Sequence, residues 1–413
     1  MTTTVLAQAE TGQIIGKVTD QNGAVVPGAT VKIKSVDTGR ETAATANGEG
    51  VYSITNLQPG LYELVVAGGN FKPSTQRVQV TVGSRISVDT VLGVAEVAVG
   101  TVDVVASGGI EVNTQEQQLS SVVSGTQLRE LPTITRNPYD LVGISGNVSG
   151  EGQVENTSGV SATSRGAGYA INGQRAASTN ILLDGGENVN AYLATVGQKV
   201  PLDSVGEFRV ITSNFSAEYG RASGGIVNVT TRSGGNDFHG SLYEFNRNSK
   251  LASNSFNNNA NGIAKGHFNR NQFGYSVGGP ILKNKLFFFS STEWTRVRSN
   301  AESINLVPTP ELLAASNINT RNFFSTFPLG TQINGRILTV NDVASTLGGA
   351  GAGFTPANAF AALPGTLPAF GEVHYSIPQD VGGGSPQNGY QTVNRGDWNI
   401  SDKTQLFGRY AIE

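Results

Sequence analysis

Residues 171–247 constrain the fold more than any other stretch. Short apolar runs such as Ile181-Leu182-Leu183 and Ile226-Val227 alternate there with glycine pairs and polar turns. Such punctuation every few residues leaves no room for a long helix and reads as short strands closed by tight turns. The rest of the chain shares the bias. Glycine, at 53 of 413 residues, is near twice its ordinary share of about 7%. Charged residues, at 14%, fall well below the usual quarter or so. The expectation is a mainly β protein with uncharged polar loops, not a soluble helical enzyme.

Composition excludes several chemistries. There is no cysteine, hence no disulfide framework, thiolate metal site or cysteine nucleophile. His239, His267 and His374 are the only histidines, and none begins a spaced pattern able to hold zinc. No catalytic set of nucleophile, base and orienting group can be assembled, so no enzyme, cofactor or metal site is expected. A net charge of −3 offers no basic stripe for nucleic acid. The apolar stretch over 91–106 is broken by Glu96 and Asp103, which argues against a membrane helix. Strands of a transmembrane barrel would escape that test, since they alternate apolar and polar residues. Residues 1–9 end in Ala7-Gln8-Ala9, the spelling of a signal-peptidase site without its basic and apolar leader. Residues 1–11 are therefore either a signal-peptide remnant or a disordered start.

The stretch over 171–247 resembles the plug domain of TonB-dependent outer-membrane receptors at its junction with the first barrel strand. The resemblance rests on Leu182-Leu183-Asp184-Gly185, on 205–209 (VGEFR), 217–221 (AEYGR) and 224–230 (GGIVNVT), and on Ser233-Gly234-Gly235-Asn236. It implies an α+β plug over 110–235 and the start of an outer-membrane β-barrel over 236–413. It also implies a place in the cell outer membrane, with the plug and the N-terminal sandwich before it on the periplasmic side. The implied partners are the TonB C-terminal domain, outer-membrane lipid and an extracellular ligand of unknown identity.

Residues 12–92 read as a small β-sandwich. Strands are expected over 13–19, 30–36, 52–55, 61–67, 76–82 and 85–91, with Val31 and Ile33 alternating against Lys32 and Lys34. Asp20 to Gly23, Pro27-Gly28, Asn47-Gly48 and Pro59-Gly60 supply the turns. Gly16, Val18, Asp20, Gly23, Pro27-Gly28-Ala29 and 57–62 (LQPGLY) resemble the carboxypeptidase regulatory-like domain, a transthyretin-like sandwich also grouped with carbohydrate-binding-like folds. Tyr52, Tyr62 and Phe71 are its aromatics and suit a core better than a sugar platform.

Residues 93–109 form a linker with strand propensity. A TonB box lies just before the plug in such receptors, and Glu96, Val97 and Val99, or Val102 and Val104, suit strand addition to TonB. A last strand of the sandwich, or a plain linker, remains open for the same residues. Within 110–235, Thr126 is expected to cap a helix ending at Leu131, and Asn137-Pro138 to open a second over 138–144. Asp184-Gly185 is expected to close a tight hairpin turn, with Gly224 and Gly225 belonging to the same plug signature. Arg209, Glu218 and Arg221 are candidates for pairing across the plug–barrel boundary, the alternative being a solvated surface.

After Gly235 the period lengthens. Strands are expected over 237–247, 271–281, 285–298 and 399–412, near the roughly 9 to 11 residues of a tilted membrane strand. Phe273, Tyr275 and Val277 are expected toward lipid, with Gln272, Gly274 and Ser276 inward. Leu406, Tyr410 and Ile412 are expected outward, opposite Gln405 and Arg409. Trp294 and Phe287 to Phe289 suit an interfacial aromatic girdle. Residues 246–269 and 307–392 read as long polar loops. The glycine-rich 348–353 lacks the lysine of a phosphate loop, and Arg395-Gly396-Asp397 reads as a chance spelling. Only 178 residues follow Gly235, whereas plugged transporters use about 22 strands; the expectation is an N-terminal fragment with an incomplete barrel. Two functions follow: TonB-energised uptake of an unidentified ligand, or a surface adhesion or assembly role using the sandwich for carbohydrate or protein binding.

Overall fold

The computed structural model describes residues 11–94, 104–105, 118–133, 135–150, 169–190, 192–216, 219–260, 265–329, 332–347, 363–378, 387–401 and 404–413. It divides into two compact units. One comprises residues up to 244 with 272–294 and 389–413; the other comprises 245–271 with 295–388.

The first unit opens with β1 (Gly12–Asp20), β2 (Thr30–Ser35), β3 (Glu41–Thr45), β4 (Val51–Leu57), β5 (Gly60–Ala67), β6 (Ser74–Val80), β7 (Arg85–Ser87), β8 (Thr90–Leu92) and β9 (Val104–Val105). One sheet runs β3-β2-β5-β6-β9; the other runs β4-β1-β7, with β8 also on β1. Inward positions alternate as the side-chain period demands: Val31, Ile33, Leu64, Val66, Val78 and Val80 join Ile14, Val18, Tyr52 and Ile54 in one core. Two expectations change. The single strand over 85–91 is two, because Val88 N–H donates to Ile15 O (2.8 Å) and the Asp89 carboxylate takes the Lys17 N–H (2.8 Å), interrupting the ladder. The unforeseen β3, ETAAT, has weak strand propensity and is held by antiparallel pairing with β2.

Gly16 is required by close approach. A Cβ there would lie 1.9 Å from Val88 O, the same carbonyl that accepts the Tyr52 hydroxyl at 2.7 Å. Gly16→Ala is expected to cost about 1–3 kcal/mol of sandwich stability through overpacking. Hydrogen exchange of β1 amides, followed by mass spectrometry, would show it as faster exchange confined to the sandwich.

A mixed sheet follows, built from β10 (Leu119–Val123), α1 (Gly125–Glu130), β11 (Val148–Gly150), β12 (Tyr169–Ile171), β13 (Thr179–Leu183), β14 (Gly186–Glu187), β15 (Val205–Ser213) and β16 (Gly225–Thr231). Its order is β10-β15-β16-β13-β14, and β11 pairs with β12 separately. α1 starts earlier than expected. Ser124, not Thr126, is the cap, because Ser124 and Gln127 form a reciprocal capping box. Asn137 caps the next turn as expected, but residues Pro138–Ile144 wind as a 3-10 helix. Leu128, Tyr139, Val142, Ile181, Phe208, Val210 and Val227 fill the core.

The remaining elements are β17 (His239–Asn248), α2 (Phe256–Ala260), β18 (Phe268–Leu282), β19 (Leu286–Pro308), α3 (Pro310–Ala315), α4 (Ile318–Thr326), β20 (Ile337–Thr339), α5 (Val340–Leu347), β21 (Pro368–Pro378), β22 (Gln387–Asn399) and β23 (Gln405–Ile412). In the first unit the strand order is β17-β18-β19-β22-β23. The expected strand over 399–412 is instead the turn and second arm of a β22–β23 hairpin, because Ile400 N–H bonds Thr404 O at 3.0 Å and reverses the chain. Gln272 and Ser276 are buried while Phe273 and Tyr275 are more open, as the alternation required. Leu406 and Tyr410 are exposed. Phe287 and Phe289 do not belong to an outer girdle: both are 1% exposed, on the same face as buried Glu293. Trp294, on the opposite face, stacks on Phe273 with ring centroids 5.7 Å apart.

In the second unit the end of β19 pairs with β21 from Asn300↔Pro378 to Pro308↔Phe370, and β21 pairs with β20. Val340, Val343 and Ala369 make a small core with Leu312, Leu338, Leu363, Leu367 and Phe370. The described residues of 307–392 thus form a folded element where a long loop is expected. Thr309 caps α3 with Pro310 at its first position, and the apolar residues among its glycines find one another across β21. Residues 246–269 likewise carry a turn at Ser249–Leu251 and the short α2.

Candidate functional site

The densest buried polar arrangement lies in the first unit, where the mixed sheet meets the inner faces of β22 and β23. Asp184 and Gly185 form the turn between β13 and β14, both in the left-handed region at φ 49° and 78°. This is the two-residue hairpin geometry that Asp-Gly favours. The turn carries more than reversal. Asp184 Oδ1 accepts the Thr231 N–H at 2.7 Å and Oδ2 accepts the Thr231 hydroxyl at 2.8 Å. Arg395 of β22 donates to Oδ1 at 3.2 Å, and Arg409 of β23 donates to Oδ2.

Arg395 is held from three sides. Its guanidinium reaches Asp397 at 2.8 Å, Thr231 O at 3.0 Å, and lies 4.8 Å over the Phe407 ring. Side-chain exposure is 8% for Arg395, 4% for Asp184 and 3% for Asp397. Charges so desolvated persist only when paired and hydrogen-bonded, and every one of these is.

A second arrangement joins the 138–144 turn region to the long strands. Arg136 Nε donates to Glu293 Oε2 at 3.0 Å, and its Nη2 donates to Asp203. Arg136 also lies 4.5 Å over the Tyr243 ring, while the Tyr243 hydroxyl donates to Glu293 at 3.1 Å. Gln272 completes the shell, donating to Glu293 Oε1 at 3.2 Å and to Thr135 O at 3.1 Å. Burial alone would lower the Arg136 pKa; Glu293 and Asp203 outweigh it and raise it above its ordinary value.

The arrangement can hold one β element inside another through fixed charge pairs, and it contains no group poised for bond chemistry. Among the described residues no cluster of three or more His, Asp or Glu is placed to hold a metal.

Residues 230–413 match the outer membrane beta barrel domain family, and residues 13–93 the carboxypeptidase regulatory-like domain family. The chain is 29% identical over 316 residues to the TonB-dependent transporter Oar of Myxococcus xanthus, a match covering 69% of this chain and 27% of that transporter. The chain is similar to the TonB-dependent transporters. It spans about a quarter of the length of this relative. Its barrel domain locates it in the outer membrane. Among solved structures it is similar to a ferric enterobactin receptor of Pseudomonas aeruginosa, at 15% identity and a TM-score of 0.36, covering 70% of this chain and 32% of that one. The pilus 2b backbone protein of group B streptococcus aligns with 20% of this chain and 41% of its own, at 22% identity and a TM-score of 0.18.

The residues singled out from sequence are dispersed in this chain. Asp184 and Gly185 sit at the first ion network. Gly225 packs where a Cβ would lie 2.7 Å from Ile171 and 2.9 Å from Ile211 O; Gly224 lies beside Gln174. Arg221 pairs with Glu187 at 2.6 Å, with 67% and 39% side-chain exposure, a setting in which an ion pair contributes little. Arg209 turns to the sandwich, donating to Gly83 O at 2.6 Å, Val82 O at 3.2 Å and Ser120 at 2.9 Å. Val104 lies in β9, parallel to β6 opposite Gln76. Glu96, Val97, Val99, Val102 and Glu218 lie outside the described residues.

The residues that sequence reasoning passed over are Arg136, Asp203, Glu293 and Arg395. Period-2 alternation was the available signal for the last two. Val393, Arg395 and Asp397 share one face of β22, so the spelling set aside as chance is an inward row of charges. Nothing local marks Arg136 and Asp203, which lie 67 residues apart.

Proposed function

We propose that residues 110–235 form the plug of an outer-membrane transporter, and that the whole protein takes up an extracellular ligand when TonB pulls on this plug. The observation that carries the reading is the buried network joining Asp184 to Arg395 and Arg409. It ties the mixed sheet to the inner face of the barrel-domain strands by charge pairs rather than by apolar packing alone. Such pairs hold the sheet while docked, and water re-solvates each charge once the sheet is displaced. The sandwich and plug face the periplasm in this reading, and outer-membrane lipid meets Trp294, Leu406 and Tyr410.

Of the two segments suited to strand addition, 102–105 contains Val104, already paired with β6. The proposed TonB-binding strand is therefore 96–99, with Glu96, Val97 and Val99. Single cysteines introduced from 94 to 106 of this cysteine-free chain are expected to crosslink to the TonB C-terminal domain most strongly at Val97. Absence of a crosslink at every position would remove TonB coupling through this segment. Comparing ligand uptake by cells with and without the full-length gene tests transport itself.

A further inference from the structure

The sandwich touches the mixed sheet through an unusual contact. Glu207 and Arg209 stand two apart on one face of β15, while Phe208 and Val210 turn the other way into the core. A bulge between Val205 and Glu207 in the β15–β16 ladder re-aims this face, as bulges do. Across from it lies the Val82-Gly83 turn between β6 and β7, with Gly83 in the left-handed region at φ 60°. Ser84 shapes that turn by donating its hydroxyl to Thr81 O at 2.8 Å.

The two side chains grip one turn through backbone groups of both polarities. The Glu207 carboxylate accepts the Val82 N–H, and Arg209 donates to Val82 O and Gly83 O at 3.2 and 2.6 Å. Side chains thus supply the donor and acceptor that a neighbouring strand would otherwise give. Further sandwich contacts among the described residues are isolated hydrogen bonds and include Arg40 to Gln405 at 2.9 Å, Asn236 N–H to Asp37 O at 2.8 Å and Gln58 to Asp397 at 3.5 Å.

We infer that the Glu207–Arg209 pair is a releasable, proton-responsive latch that holds the sandwich against the plug. The inference rests on the plug reading above. The contact is built for release because the anchored group is a loop tip, and both gripping side chains carry charge that water would welcome. Burial pushes the Glu207 carboxyl up to about 7, against the opposing pulls of the Val82 N–H and Arg209. The other charged groups lining the adjoining cavity of about 570 Å³ are Arg129, Arg232, Asp37, Asp184 and Arg395, of which Asp184 and Arg395 are already paired with each other.

The sign follows from linkage. Glu207 has a higher pKa docked than released, so the docked state binds the proton preferentially. Docking strengthens as pH falls through about 7 and reaches its full strength below the ordinary carboxylate pKa of about 4.3. Raising pH from 6 to 8 is expected to lower the docked-to-released ratio roughly tenfold.

The absence of cysteine makes the test direct. Nitroxide labels on cysteines replacing exposed Lys32 in β2 and Glu130 in α1 of the full chain in detergent report the sandwich–plug distance by pulsed electron resonance. One narrow distance at pH 6, joined by a longer and broader population at pH 8, is expected. Glu207→Gln keeps an acceptor for Val82 without the charge and is expected to hold the narrow distance at both pH values. Arg209→Gln is expected to enlarge the released population at both. A distance unaffected by pH and by Arg209→Gln overturns the latch, as does pH dependence that persists in Glu207→Gln. The readout is docking rather than transport, so its failure leaves the plug reading standing, and absence of uptake leaves the latch standing.

Discussion

Asp184→Ala is expected to loosen the mixed sheet by about 3–5 kcal/mol, the usual cost of removing one partner from a buried ion pair. The change strips Arg395 of a counter-charge at 8% side-chain exposure and leaves Arg409 facing the same vacancy. It also removes the acceptor of the Thr231 N–H, a buried donor whose loss of partner adds its own penalty. Hydrogen exchange of peptides over 179–187 and 225–231, in the full chain, is the measurement. Protection is expected to fall on the order of a hundred- to a thousandfold through local opening. Asp184→Asn, which keeps hydrogen-bonding capacity without the charge, is expected to fall between wild type and alanine. Exchange within about tenfold of wild type in Asp184→Ala would show that apolar packing, not the charge network, holds the sheet to β22 and β23.

Arg136→Met is expected to have an effect of similar size, for the opposite sign of charge. It leaves Asp203 and Glu293, at 10% and 5% side-chain exposure, without their shared cation, at a cost of about 3–5 kcal/mol. Here a decisive control exists. Replacing all three charges, as Arg136→Met with Asp203→Asn and Glu293→Gln, removes the mutual need along with the partners. Replacing a whole buried network by neutral groups is often close to neutral in stability. Thermal unfolding of the purified chain is expected to show a large fall in the single variant and recovery of most of it in the triple variant. Equal destabilisation in both would mean that the contact of the Arg136 guanidinium with the Tyr243 ring matters more than its pairing with Asp203 and Glu293.

Much of the fold was legible because its signal is local. The alternation Val31, Lys32, Ile33, Lys34 can place only one face inward, and Asp184-Gly185 is a spelling that few backbones other than a tight hairpin accept. Asn137-Pro138 marked a turn start for the same reason, although not that the turn would wind as a 3-10 helix. The misreadings share a different cause. Phe287 and Phe289 suit an interfacial girdle by sequence because aromatic residues fit both an interface and a core. Only the register of β19 against β18 and β22 turns them inward. Residues 307–392 looked like loop because their helices are short and their apolar residues sparse, and the small core around Val340 and Ala369 forms only once β21 brings 363–370 beside them.

The candidate site was less legible than the fold. Its signature glycines and Asp184 could be named, since they answer backbone requirements written into adjacent residues. Arg209 and Arg221 were expected at one boundary and go to different neighbours, the Val82-Gly83 turn and Glu187. A guanidinium has no sequence-local partner; it pairs with whatever carboxylate or carbonyl the folded backbone presents.

The sequence by itself determined the strand-and-turn character of the chain, the alternation within its sandwich and long strands, and the resemblance to TonB-dependent receptors. These depend on side-chain periodicity and on φ preferences, which act over a few residues. The tertiary structure alone decided which partner each charge meets. Asp184 is joined to Arg395 across 211 positions and to Arg409 across 225, and Glu207 to Val82 across 125. Burial makes these pairs strong, and burial exists only after distant segments have packed.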